Sequence, residues 1–359
     1  MNFSKTLIAA TAVATLASAA QAQLKTDGLL EVYGRASFSV DQLDDGDKYK
    51  RNNLSSNASR LGFRGSKKIG EVTGVWQIEQ EIQFNMSNAT GDTYNRLASR
   101  DTFAGLQGDF GLVRVGKFDT PFKVAREPFN LFGDQLGDMR NLTRVGKAAF
   151  DERWNNMLEY QTPVMNGFQA KVAYSFATGT AYATNTGGVE QKQDATSVSL
   201  GYKAGDLDAT LAYESYGANT VDTGKRDATR AAVAYKLTPE LSVMGFYQSA
   251  NSKLTSNNKN EGAEVTGIGM QYMITPSVAL KAQYMNRKAE AAASDANMYT
   301  VGADYRYDKG LSFYASYAGL KNESGSTLAP WAEGRTTSKL AGVGDKTATG
   351  LSIGVRLDF

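Results

Sequence analysis

The last ten residues, GLSIGVRLDF, alternate without a fault: Leu351, Ile353, Val355, Leu357 and Phe359 are apolar, and Gly350, Ser352, Gly354, Arg356 and Asp358 stand between them. A period of two is that of a strand with one apolar and one polar face. The same pattern recurs upstream. Leu30, Val32, Ala36 and Phe38 share a face opposed by Glu31, Tyr33, Arg35 and Ser37, and Tyr299, Val301, Ala303 and Tyr305 oppose Thr300, Asp304 and Arg306. Further on, Ala231, Val233 and Tyr235 oppose Arg230 and Lys236. An apolar strand left unpaired at the end of a chain invites aggregation, so the last strand needs a partner on each side or a barrel to close.

Four consecutive segments repeat one plan: GYKAGDLDATLAYE, AYKLTPELSVMGFYQ, QYMITPSVALKAQYM and DYRYDKGLSFYASYA. Each is a hairpin with a tight turn, and the tyrosines Tyr202/Tyr213, Tyr235/Tyr247, Tyr272/Tyr284 and Tyr305/Tyr317 bracket the turns. Extending the pattern gives sixteen strands at roughly 29–40, 57–66, 72–86, 98–107, 110–117, 154–162, 167–177, 195–204, 206–216, 227–237, 240–251, 262–274, 277–288, 296–307, 311–321 and 348–359. Short turns (KKIGE, GD, PVMN, AGD, TPE, TPS, DKG) alternate with long polar loops such as DQLDDGDKYKRNNLSS and NESGSTLAPWAEGRTTSKLAGVGDK. Sorting connections by length onto two rims is a property of outer-membrane barrels. Seven short turns and eight long loops put both termini on one rim, where the first and last strands can pair.

Apolar residues out and charges in is the reverse of a soluble protein and implies a wet interior. Sixteen strands are wide enough to leave an aqueous channel. The tyrosines near strand ends then form the interfacial girdles.

Composition narrows the chemistry. The chain has no cysteine and no histidine, which removes disulfide scaffolds, Ser-His-Asp and Cys-His nucleophile systems and the usual zinc sites. With 39 basic and 37 acidic residues there is no polybasic case for nucleic acid. Neither a metal nor a cofactor is implied. The opening MNFSKTLIAATAVATLASAAQA has Lys5, an apolar run from Leu7 to Ala17 and the small-residue site Ala20-Gln21-Ala22, which makes 1–22 a secretory signal peptide with Gln23 as the first mature residue. The remaining 23–359 form one barrel domain.

EVYGRASF, SRLGFRG, FAGLQGDFGLVRVGKFDTPF and ERWNNMLEYQTP, in this order, with a terminal phenylalanine, resemble the general trimeric porins of the Gram-negative outer membrane, most closely their betaproteobacterial branch. The resemblance spans the whole mature chain. It implies a 16-stranded antiparallel transmembrane β-barrel, a homotrimer in outer-membrane lipid and lipopolysaccharide, and passive diffusion of ions and small hydrophilic solutes. It also implies an assembly signal read by the outer-membrane assembly machinery, which Ser352, Gly354, Leu357 and Phe359 fit. By the same resemblance the longest connection, about 118–152, folds into the barrel and narrows it, with Glu127, Asp134 and Asp138 as candidates for its acidic side.

The opposite wall in such proteins carries arginines. Arg60 and Arg64 lie opposite Leu61 and Phe63, Arg153 lies opposite Trp154 and Leu158, and Arg35 is a further neighbour. On the fifth strand the resemblance points to Lys117, whereas parity puts Arg114 in the lumen. Opposed charges across a narrow wet gap make a transverse field that orients polar solutes. Twelve basic against eight acidic residues fall in the lumen phase of the strands, which favours a mild anion preference. A substrate-specific porin, a display barrel and a barrel enzyme are the competing readings; the absence of histidine weighs against the last.

Overall fold

A computed structural model describes residues 28, 30–84, 98–146, 149–178, 194–217, 226–252, 262–335, 337 and 340–359. The signal-peptide residues, with Ala20, Ala22 and Gln23, lie outside them.

Alternation becomes strand throughout: β1 (Glu31–Asp44), β2 (Lys50–Ser56), β3 (Arg60–Ile69), β4 (Val72–Glu81), β5 (Thr102–Gly108), β6 (Gly111–Asp119), β7 (Arg153–Gln161), β8 (Phe168–Ser175) and β9 (Ala195–Ala204). Then follow β10 (Leu207–Tyr216), β11 (Arg226–Lys236), β12 (Leu241–Ser252), β13 (Ala263–Thr275), β14 (Val278–Ala289), β15 (Ala296–Arg306), β16 (Leu311–Asn322) and β17 (Thr347–Asp358). Neighbours pair antiparallel in one sheet, and β17 pairs with β1 from Arg35↔Asp358 to Asp44↔Thr349, so the sheet has no free edge. The seventeen segments fill sixteen places. β2 and β3 both lie along β1, at Phe38↔Ser56 through Asp44↔Lys50 and at Glu31↔Arg64 through Arg35↔Arg60, and are two halves of one wall strand.

This second wall strand differs from the sequence expectation, which began it at 57 and left 41–56 as a loop. Polar residues read as loop by composition, yet on this wall they are tolerated inside. Asp41 is buried and accepts hydrogen bonds from Ser39, Ser55 and Ser352. The break between the halves falls at Ala58, whose φ of 51° interrupts the ladder.

The facing is as the alternation demands. Val40, Val233, Tyr247, Ile268, Leu280 and Ile353 are exposed on the outer surface, whereas Ser39, Glu79, Glu159, Arg230 and Gln283 are buried on the inner one. Two tyrosine belts ring the outside. Tyr305 stacks on Phe313 near the short-turn rim, and Tyr299 meets Tyr317 six residues higher on β15, about 20 Å away along the strand. That is close to the height of an apolar band between interfacial girdles.

The seam explains why the chain ends on an aromatic. The Phe359 amide donates to the Gly34 carbonyl at 3.1 Å, the Gly34 amide donates back at 2.8 Å, and the ring lies flat on Gly34, where a Cβ would stand 2.4 Å from it. Only glycine leaves room for that ring.

Candidate functional site

The connection between β6 and β7 does not stay at the rim. It begins with α1 (Pro121–Val124), where Thr120 caps the helix by accepting from the Lys123 amide at 3.1 Å and Pro121 holds the first turn. It continues through a single 3-10 turn (Glu127–Phe129) and α2 (Arg140–Thr143). The inner faces of successive strands bind its backbone. Ser197 Oγ accepts from the Phe122 amide at 3.0 Å, Gln248 donates to the Thr143 carbonyl at 3.0 Å, Lys281 to Leu131 at 2.8 Å and Gln283 to Gly137 at 2.6 Å. Arg230, fully buried, holds both ends: its guanidinium donates to the Phe122 carbonyl at 2.9 Å and to the two Asp151 oxygens at 2.5 and 2.8 Å. Phe122, Phe129, Phe132 and Phe150 are buried against the wall, and Gly267 and Gly302 leave the hollows that receive Phe129 and Phe132.

A second connection turns inward as well, the one between β16 and β17, whose polar composition reads as a surface loop. Its Trp331 is buried with Leu43 and Leu136 and donates to the Leu340 carbonyl at 2.8 Å. Arg335 is buried in an ion pair with Asp41 of β1. The two inward loops touch. The Gly137 amide donates to the Pro330 carbonyl at 2.7 Å, the Glu333 amide to Asn141 Oδ1 at 3.0 Å, and Arg144 pairs with Glu333 at 2.9 Å.

Between these loops and the opposite wall runs an open space of about 1960 Å³. Arg35, Arg60, Arg64, Arg114 and Arg153, the arginines assigned to the opposite wall, all line it, and each has a carboxylate partner. Arg35 meets Asp358 at 2.7 Å, Arg64 grips Glu31 with two bonds of 3.0 and 2.6 Å, and Arg153 is held by Asp119 at 2.7 Å and by Asp101. Arg60 is the most loosely held, 3.8 Å from Glu79 and directly across from Arg35 in the β1–β3 ladder. Arg114 pairs with Glu159 at 2.8 Å and stacks on Phe118 at 3.9 Å.

Lys117 also lines the space, so parity and resemblance are reconciled. The β6–β7 ladder slips between Gly116 and Phe118, and the slip turns Lys117 inward along with Arg114. A second break, at Asn156 with φ 50°, separates Trp154 from Leu158. Leu158 is exposed outside as expected, but Trp154 is buried and donates to the Tyr216 hydroxyl at 2.8 Å.

The loop acids divide. Asp134 faces the space and pairs with Arg140 at 2.7 Å. Burial alone would raise its pKa, but Arg140 and then Arg60, Arg100 and Arg35 outweigh this and hold the carboxyl well below the ordinary carboxylate range. Glu127 also lines the space; there burial dominates and pushes its carboxyl up. Asp138 does not line it. Fully buried, it accepts from the Asp134 and Arg140 amides at 2.8 Å each and from the Arg140 guanidinium, which makes it the clasp of the turn and not a wall of the pore.

Sequence reasoning passed over Arg100, which pairs with Glu79 at 2.6 Å between Arg60 and Arg153, and Arg140 on the loop itself. Arg100 precedes β5 by two residues, where the phase of the strand no longer tells the facing. Among the described residues seventeen basic and sixteen acidic side chains line the space, so net charge decides nothing and local arrangement does. Arg230 and Glu214, inward by strand phase, are fully buried and do not line the space.

Of the terminal motif, Ser352 is buried and donates to Asp41 at 2.6 Å, Gly354 receives the Tyr314 ring, Leu357 is exposed outside and Phe359 seals the seam.

Residues 9–325 match the model of the Gram-negative porin family. Outer membrane porin protein 32 of Delftia acidovorans is 28% identical over 337 residues, covering 87% of this chain and 88% of the relative. An outer membrane porin of Bordetella pertussis is 27% identical over 366 residues, covering 89% and 94%. Among solved structures, an anion-selective porin from Comamonas acidovorans superposes with a TM-score of 0.78 at 22% identity, covering 93% of this chain and all of that one. With a closed barrel, an apolar outer belt and a charged inner passage, this chain belongs to the Gram-negative porin family of the outer membrane.

Proposed function

We propose that the barrel is a water-filled passage for passive diffusion of ions and small hydrophilic solutes, with a mild preference for anions, and that it performs no catalysis. The observation that carries this is the row Arg35, Arg60, Arg100 and Arg153 along one wall, facing Asp134 and Arg140 on the inward loop. Guanidinium groups keep their charge at every working pH and present flat arrays of donors that suit hydrated oxyanions. Glu127 and Asp134 are the acids of the throat; Arg64, Arg114 and Lys117 extend the basic surface toward the short-turn rim. The structurally similar Comamonas protein is itself described as anion-selective, which supports the sign.

The assembled form is a homotrimer, reached after removal of residues 1–22 on export, with the strand ending at Phe359 presented to the assembly machinery and the long loops facing lipopolysaccharide. Planar-bilayer recording in a salt gradient tests the reading. Stable steps with an anion-signed reversal potential are expected. A folded barrel that conducts nothing would overturn it, and a cation-signed potential would overturn the assigned preference.

A further inference from the structure

We infer that Gly334, on the last long loop, is a specificity-determining position that sets the throat from a distance in sequence of some two hundred residues; this rests on the channel reading above. Gly334 lines the open space with φ +71°, in the left-handed region. A Cβ there would lie 2.1 Å from the Arg140 guanidinium and 2.8 Å from Asp134 Oδ1. The glycine backbone is therefore the floor on which the Arg140–Asp134 pair rests.

The position of that floor is fixed from both sides. Arg335, the next residue, is locked to Asp41 and donates to Asn57 Oδ1 at 3.1 Å and Ser39 Oγ at 3.3 Å, which ties it to the β1–β2 wall. Glu333, the preceding residue, is tied to Asn141 and Arg144 of the other loop. A side chain at 334 has nowhere to go except into the pair. Pushing the Arg140 guanidinium aside uncouples it from Asp134. Asp134 then presents to the gap a carboxylate that has lost its nearest cation, while Asp138 keeps Arg140 anchored close by.

The functional consequence is a shift of ion preference without loss of the pore. Gly334→Ala is expected to lower the anion-to-cation permeability ratio by roughly twofold, because the charge nearest the narrowest point dominates selectivity. If the effect runs through the pair, Gly334→Ala adds nothing in an Arg140→Gln background, which a double-mutant cycle reads directly. Folding is checked by the heat-dependent gel mobility of the full-length protein.

Should Gly334→Ala fail to fold, the charge-conserving pair Asp41→Asn with Arg335→Gln frees the same segment and must move the ratio in the same direction. A conducting wild type whose ratio is unchanged in the folded variants would overturn the inference and leave the channel reading intact. Absence of conductance in the wild type would instead overturn the channel reading. An additive effect of Gly334→Ala in the Arg140→Gln background would show that the glycine acts by some other route, and would also overturn it.

Discussion

At the scale of single residues, the arginines of the inner wall are each set against a carboxylate. On the inward loop, Glu127 and Lys123 are nevertheless moved from their ordinary values by burial. Burial raises Glu127, so on acidification it takes up a proton before an ordinary glutamate would, the throat loses a negative charge, and anion preference rises. Burial pulls Lys123 down to about 8 despite the pull of Asp119, so anion preference falls as pH rises through that value. Asp134 keeps its charge across the whole range. Reversal potentials recorded from acid to alkaline pH should therefore show two steps of the same sign. Glu127→Gln should erase the acid step, and Lys123→Gln the alkaline one. Asp134→Asn removes the carboxylate facing Arg60 and Arg100 and should raise the anion-to-cation ratio by roughly twofold at every pH, since wall charges at a constriction set permeant-ion concentrations; an unchanged ratio would show that Asp134 lies outside the ion path.

At the scale of elements, the inward loop is held mainly by Arg230. It supplies four of the contacts that close the loop on the wall: the Phe122 carbonyl, both Asp151 oxygens and the ring face of Phe122. Removing it strands a buried carboxylate beside Arg126, 3.3 Å away, which alone cannot replace it. Breaking a buried pair of this kind costs about 3–5 kcal/mol. Arg230→Ala should accordingly speed tryptic cleavage within the loop by about two to three and a half orders of magnitude, as each 1.4 kcal/mol is tenfold, with the rest of the barrel still protected. Cleavage at the wild-type rate would mean the loop is held without Arg230, by its buried phenylalanines and by the hydrogen bonds of Gln248, Lys281 and Gln283 to its backbone.

Strands were legible in the sequence because their side-chain period is local and both faces are chemically marked. Arg35, Arg60, Arg64, Arg114 and Arg153 could be placed in the lumen by counting in twos. Counting failed at the two breaks, where Lys117 turns in and Trp154 leaves the outer face. It had nothing to offer in the loops, which have no period. There Asp134 and Asp138 are alike in sequence, and only the turn they close decides that one faces the space while the other is sealed beneath it. The last long loop was illegible for another reason. Serines, glycines and charges read as surface, but the surface they cover lies inside.

At the scale of the whole molecule, the sheet without edges and the two inward loops make a tube whose outer wall is fixed by lipid and whose bore is fixed by ion pairs. The arginine row has a kinetic corollary. A bare guanidinium in a narrow gap would be a trap, since an anion that binds it tightly delays the next. Here each guanidinium is partly neutralised by a neighbouring carboxylate, at 2.7 Å for Arg35 and 2.6 Å for Arg100, whose partner Glu79 also faces Arg60. A passing anion borrows a donor that returns to its partner once it leaves. Dwell times are then short and sites are empty on average, so single-channel conductance should climb in proportion to salt into the molar range and show no plateau. A plateau at millimolar salt would reveal a sink where this wall describes a relay.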